Sequence, residues 1–251
     1  MSIASLLCDN YERRARLRPA LLVALPAIMG IVSCFPSFTV SYALLAILIA
    51  CGAVALVAQL GRDRGKVLEP RLFALWGGKP TTQLLRHSTK HLPDATRERY
   101  HNKLQALVPG IVLPSRLLEG IEPAAADSVY DSCAQFLREK TRDNSKYPLL
   151  YSENVSYGFR RNLWAMKPTG IAFGLAGLVV SGVAAIAGIK DGVVPAVPAA
   201  AVLIDALLLA FWMLRITPSW VRLTAFAYAE RLLAVCDTIE SRTAEVSLNQ
   251  S

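Results

Sequence analysis

Charge is scarce in this sequence. Asp, Glu, Lys and Arg make up 18% of the 251 residues, against about a quarter in ordinary soluble domains, while the AVILMFWYC set reaches 53%. Mean hydropathy is +0.37. A chain this apolar buries itself, which excludes disorder. Paired cysteines are missing too: Cys8, Cys34, Cys51, Cys133 and Cys236 are scattered and odd in number, which excludes a disulfide-rich secreted scaffold. There is no Gly-rich phosphate loop, because Gly77-Gly78-Lys79-Pro80-Thr81 has no upstream glycine at Walker spacing. Histidine is sparse. His87 and His91 stand four apart, where a helix would align them, with His101 nearby, but no Cys pair or spaced carboxylate completes a zinc set. Serine and cysteine nucleophile signatures are likewise absent, as are repeats and low-complexity tracts. The expectation is a protein with no catalytic constellation, no metal and no cofactor.

Long apolar runs are what the chain does have. Pro19 to Cys34 and Val40 to Leu60 carry no charge, and Thr169 to Ile189 and Val193 to Leu214 carry one, Asp205. About 20 apolar residues cross roughly 30 Å of hydrocarbon. The last three runs meet that length; the first is shorter and holds Pro26. Arg13, Arg14, Arg16 and Arg18 precede the first run without a small-residue cleavage site after it, which reads as a retained anchor. Residues 61–168 hold 18 Lys and Arg against 11 Asp and Glu, whereas the turns after the first and third runs are nearly uncharged. The positive-inside rule then places both termini and the middle segment in the cytoplasm of a multi-pass protein of the bacterial inner membrane.

The fold class expected is an all-α membrane protein, with two transmembrane hairpins flanking a mainly helical cytosolic insert. Its segments are 1–18, a basic N-terminal piece; 19–60, the first hairpin; 61–168, the insert; 169–216, the second hairpin; and 217–251, a cytosolic helix and tail. Within the insert, apolar periodicity continues from Val67 to Ala74 until Gly77, Gly78 and Pro80 interrupt it. Thr81 or Thr82 is expected to cap a helix through His91, and Pro93-Asp94 to open one ending at Leu107. Two prolines and two glycines between Pro109 and Gly120 read as a loop or short strand. Pro123 to Arg142 is the clearest helix, with Val129, Cys133, Phe136 and Leu137 on one face. Pro218 opens the tail helix, whose apolar surface (Val221, Leu223, Phe226, Leu232, Leu233, Val235, Ile239) exceeds one neighbour's stripe and points to a second subunit.

Three features rise above this background. Gly170/Gly174 and Gly177/Ser181 repeat small residues at a spacing of four, followed by Gly182. Such a face lets helix backbones approach, as an oligomer contact or a pore lining, although glycine is also simply commoner in membrane helices. Asp205 lies mid-run, where an ionisable group costs about 3 kcal/mol on insertion scales. It either lines a pore, where a ring of carboxylates attracts cations, or bridges helices as a neutral acid. Finally, Phe159, Arg160, Arg161, Trp164 and Lys167 interleave aromatics and cations just before the third run, with Arg142 upstream. That pattern suits, first, an interfacial anchor on anionic headgroups and, without excluding it, a site that stacks bases and holds phosphates.

The block from Lys140 to Asp143, with the segment PLLYSENVSYGFRRNLWAMKPTG from Pro148 to Gly170, resembles a recurring block in small bacterial membrane proteins of defence-island context. The hairpin–insert–hairpin layout is similar to membrane effectors of anti-phage systems, in particular the Hailong effector family. That resemblance implies a homo-oligomeric channel held closed by DNA oligomers that a partner nucleotidyltransferase makes, and it assigns no individual residue role. The expected function is a ligand-gated channel that depolarises the membrane. Its expected partners are the bilayer, further copies of itself, and a nucleotide or short single-stranded DNA at Arg160, Arg161, Lys167, Phe159, Trp164 and Arg142. The competing expectation is a non-conducting membrane scaffold that recruits a cytosolic protein.

Overall fold

A computed structural model describes residues 12–34, 40–190 and 192–239, with only the backbone described for Glu12 and 40–52. Of the expected segments, 1–11, the turn 35–39, Asp191 and the tail 240–251 lie outside the described residues. A π-helical turn, Glu12–Leu17, leads into α1 (Arg18–Cys34). There follow α2 (Val40–Trp76), α3 (Pro80–Leu85), α4 (Asp94–Leu107), α5 (Arg116–Ile121) and α6 (Pro123–Lys140). Then come α7 (Pro148–Ala165), α8 (Lys167–Ala187), α9 (Ala196–Leu214) and α10 (Pro218–Ala234), closed by a 3-10 turn, Val235–Asp237. No strand occurs among the described residues.

Local chemistry explains the punctuation. Gly77 and Gly78 take φ of +83° and +131°, and the Gly78 amide donates back to Phe73 O at 2.8 Å, which ends α2. Pro80 then occupies the first turn of α3. Pro26 and Pro70 lie inside α1 and α2 without ending them, and α2 continues through Gly61 without a break.

The chain forms two compact units: one of residues up to Pro70 with Val155–Val221, the other of Arg71–Asn154 with the residues from Arg222 onward. Among the described residues three helices are long and apolar enough to cross a membrane: Arg13–Cys34, α8 and α9, the last two in the first unit with Arg13–Cys34. The apolar run expected at 40–60 is helical, but its side chains over 40–52 lie outside the described residues.

Burial in the first unit is the reverse of that in a water-soluble helix. α8 buries Gly170, Gly174, Gly177, Ser181 and Ala185, while Val179, Val183 and Ile186 face outward, Ile186 73% exposed. α9 buries Pro198, Ala201, Asp205 and Trp212 and turns Leu203 and Leu207 outward. Small groups inside and large aliphatics outside suit helices that pack on each other by close backbone approach and meet an apolar solvent. α1 joins α2 through Ala20, Val54 and Ala58. Val23, Leu163, Met166, Trp212, Ile216 and Trp220 form the larger cluster at the end of the unit where α8 starts and α9 stops. At the opposite end α8 turns into α9: Lys190 and Val193 exchange backbone hydrogen bonds of 3.3 and 2.9 Å, and Gly192 adopts φ +75°.

The second unit has an ordinary apolar core in which Leu84, Leu85, Leu104, Tyr130, Cys133, Leu137, Leu232 and Leu233 are fully buried. Several expectations are corrected here. α3 stops at Leu85, so His87 and His91 share no helical face; Arg86 is extended and its guanidinium is held by Asp127 at 2.5 and 2.8 Å. Thr81 and Thr82 are buried and cap nothing. Part of the stretch expected as loop or strand forms α5, whose first turn is capped by Ser115 Oγ accepting from Leu118 N at 3.3 Å. On α6 the buried face is Ala126, Tyr130, Cys133, Ala134 and Leu137, with Val129 only half-buried. The apolar surplus of α10 is consumed within the chain: Phe226, Leu232, Leu233 and Val235 lie in this core, and only Leu223 is left outside, 65% exposed.

Candidate functional site

The first site is the mid-helix carboxyl of α9. Asp205 is fully buried, and its Oδ2 lies 3.1 Å from Ser181 Oγ on α8. Ser181 Oγ is also 2.9 Å from Gly177 O one turn back. A hydroxyl has one hydrogen, so Ser181 donates fully to Gly177 O or to Asp205 Oδ2, or shares that hydrogen between them. Asp205 Oδ1 has no hydrogen-bond partner among the described residues. No cation pairs with this carboxyl among the described residues, so its buried oxygens carry an unmet demand that ordinary packing does not create.

The small-residue face meets helices of the same chain. A Cβ on Gly170 would run into the Trp212 ring, one on Gly174 would touch Leu209 Cδ1 at 3.3 Å, and one on Gly177 would stand 2.7 Å from Pro26 O. Gly182 has open space around it. Gly170, Gly174, Gly177 and Ser181 therefore line the seams between α8 and its neighbours α9 and α1. At the turn end of these helices, Ser33, Cys34, Val180, Ala184, Gly188 and Pro198 help line an open apolar depression of about 740 Å3.

The interleaved aromatic and basic segment is helical through α7, and a break at Met166 (φ −90°, ψ 1°) starts α8. The helix separates its cations by task. Arg161 Nη1 donates to Glu69 Oε1 at 2.8 Å, and Tyr157 Oη donates to the same oxygen at 2.5 Å, so Arg161 is tied to α2. Burial, then Glu69, pushes the Tyr157 hydroxyl well above the ordinary phenol range. Lys167 Nζ donates to Met213 O at 3.1 Å and Ile216 O at 2.8 Å, a cation at the carbonyl end of α9 that suits the helix dipole. Arg160 stacks on Trp220 with Cζ 4.7 Å from the ring centroid and donates from Nη1 to Trp220 O at 2.8 Å. Arg215 stacks on the same ring at 5.2 Å. Each such contact contributes about 0.5–1 kcal/mol where water reaches it. Phe159 packs edge-on to Trp220 at 6.5 Å, and Trp164 borders the same cluster. Arg142 belongs to the second unit, where it pairs with Glu139 at 2.7 Å.

Sequence reasoning missed Arg215, Trp220 and Glu69, and also Asn162, which is buried and donates to Ala15 O at 2.9 Å. Only helix phase, three residues after Phe159, marked Asn162 as inward-facing. Glu69 and Trp220 lie far from their partners along the chain and carried no local signal.

In the second unit, polar side chains gather on Glu119. It accepts from Tyr130 Oη and from His87 N, both at 2.8 Å. His87 and His101 meet edge to face at 4.9 Å, and each directs Nε2 at a backbone carbonyl, Pro114 O at 3.0 Å and Leu85 O at 2.7 Å. A carbonyl only accepts, so each Nε2 carries a hydrogen. No group of three metal-binding side chains occurs among the described residues. No protein-family model, curated protein or solved structure matches this chain.

Proposed function

We propose that the protein is a multi-pass effector of the bacterial inner membrane, a homo-oligomeric channel that a cytosolic nucleotide or DNA oligomer gates, and whose opening depolarises the cell in anti-phage defence. In this reading two hairpins, α1 with α2 and α8 with α9, cross the bilayer, and the second unit is cytosolic with both termini. The observation that carries it is Asp205: a fully buried carboxyl in the middle of a helix otherwise fit to span, with one oxygen unpartnered. A protein that needed α9 only as an anchor has no use for that group, whereas a conduction path does. In this reading the contact between Asp205 and Ser181 belongs to a closed state. Arg13, Arg14 and Arg16 lie in the π-helical turn that leads into α1, Arg18 opens α1, Arg160 lies in the second half of α7, Lys167 opens α8 and Arg215 follows α9, in keeping with cytosolic placement of those helix ends.

The test is membrane potential. Expression of the wild type should depolarise cells, and reconstituted protein should pass cations across liposomes, while Asp205→Asn reduces both with its fold unchanged. Wild-type liposomes that never leak would end the channel reading. The second reading, a non-conducting anchor that recruits a cytosolic protein, is favoured by one observation: the glycine face is spent on packing within the chain, leaving none of it for a neighbouring copy. A monomer in mild detergent would support it.

A further inference from the structure

The short helix α5 is built inside out. Its buried side chain is a carboxylate, Glu119, whose Oε2 accepts from Tyr130 Oη and His87 N and whose Oε1 accepts from Ser88 N at 3.4 Å. Its large aliphatic side chains face the other way: Leu117 is 74%, Leu118 47% and Ile121 66% exposed. Spacings of three and four residues put Leu117 and Leu118 on one helical face with Ile121. In the first unit outward aliphatics suit an apolar solvent, but the second unit has an ordinary core with its leucines inside. A contiguous apolar face on such a unit marks an interaction site. The glycine face of α8 and the apolar side of α10, the two surfaces that periodicity offers for self-association, are both engaged within the chain. The ends of the α5 face carry opposite charges. Arg116 opens the helix and Glu122 follows it; both are exposed, and among the described residues neither side chain has an ionic partner. Six residues separate them, about 9 Å along a helix.

We propose that the outward face of α5 is a contact between two copies of this chain, related by a two-fold axis with their α5 helices antiparallel. Such a contact is self-complementary. Arg116 of each copy meets Glu122 of the partner subunit, and Leu117 meets Ile121 of the partner subunit. A parallel pair would set like charge against like. Charge also selects against the bilayer surface as the occupant, because anionic headgroups attract Arg116 but repel Glu122. The face of a six-residue helix is smaller than the roughly 800 Å2 per partner of a stable interface, so the contact serves chains already concentrated, as a shared membrane concentrates them. The proposal rests on the homo-oligomer of the reading above and is independent of conduction.

The test is disulfide cross-linking of the full chain in intact cells. Two differently tagged chains, one Leu117→Cys and the other Ile121→Cys, are co-expressed in a Cys8→Ser/Cys34→Ser/Cys51→Ser background and oxidised. Mixed-tag dimers should form. Arg116→Glu on both chains, or Glu122→Arg on both, should lower their yield roughly tenfold, since each replaces two attractions by two repulsions. Arg116→Glu/Glu122→Arg on both chains should restore it, because the pairs are rebuilt with their signs exchanged. A bilayer surface or an unrelated protein on this face gives no such rescue. All four positions are exposed, so the variants should keep the fold, which circular dichroism of the purified chains checks. Absence of mixed dimers, an undiminished yield in the single reversals, or no rescue by the double reversal overturns the proposal. Chemical cross-linking of wild type in the same cells separates the two failures. If wild type is oligomeric while the mixed-tag pair is absent, only the α5 contact is wrong; if wild type is monomeric, the homo-oligomer itself fails.

Discussion

Ser181 Oγ stands 3.1 Å from Asp205 Oδ2, and both side chains are fully buried between α8 and α9. An interhelical polar contact of this kind contributes about 0.6 kcal/mol on average, and up to about 1.7. Ser181→Ala should therefore lower thermal stability in detergent only slightly. Asp205→Asn removes the ionisable group and lets Nδ2 donate to Ser181 Oγ, so stability should hold or rise while cation flux falls. Asp205→Leu should preserve the span and abolish flux. Equal flux for wild type, Asn and Leu would make the carboxyl incidental to conduction.

The glycines of α8 differ sharply in what they tolerate. Gly177→Ala places a methyl 2.7 Å from the Pro26 carbonyl, a backbone atom that cannot rotate away, so α1 must shift. Overpacking of that kind costs about 1–3 kcal/mol. Gly182→Ala meets open space and should be neutral or mildly stabilising. Unfolding of the two variants followed by circular dichroism separates them; equal melting temperatures would show that α1 does not pack here.

Acid should loosen the second unit through His101. Burial holds its pKa below the ordinary 6.5, reinforced by His87 and Arg97 and opposed by the Leu85 carbonyl and Glu119; the Tyr130 ring also packs on it. Because the folded state binds this proton less readily than the unfolded one, the full stability is present above about 6.5 and declines as the pH falls toward the folded-state value. His101→Gln should flatten the pH dependence of denaturant midpoints between neutral pH and mild acid. A slope identical to that of wild type would assign the acid sensitivity elsewhere.

Two thiols should be silent. Burial raises Cys133 to about 11 and Cys236 to about 12, the latter helped by Asp237. Maleimide at neutral pH should label exposed Cys34 within minutes and leave Cys133 and Cys236 unmodified until denaturant is added. Mass spectrometry of peptides from a Cys8→Ser/Cys51→Ser background reads each site separately. Rapid native labelling of Cys133 would show that the second unit opens readily.

The division between sequence and tertiary structure follows from physics at particular residues. Composition and run length alone determined an all-helical chain with helices able to span a membrane, because hydrocarbon thickness sets helix length and backbone hydrogen bonding leaves few alternatives. Local chemistry also determined the ends of α2, α4 and α6, where Gly77, Pro93 and Pro123 act within a few residues. Periodicity likewise put Gly170, Gly174, Gly177 and Ser181 on one face. What that face meets was not legible: the partners of these residues, Trp212, Leu209, Pro26 and Asp205, are brought by α9 and α1, and periodicity names a face but not its neighbour. The same holds for the cations of α7. Arg160 and Arg161 are adjacent in sequence, yet the helix turns one toward Trp220 and the other toward Glu69. The apolar surplus of α10 was a misreading of the same origin, since burial of Leu232 and Leu233 depends on α4, α6 and α7 closing over them. Only the tertiary structure decided these contacts, because long-range packing is selected by shape and unmet hydrogen bonds among elements distant along the chain.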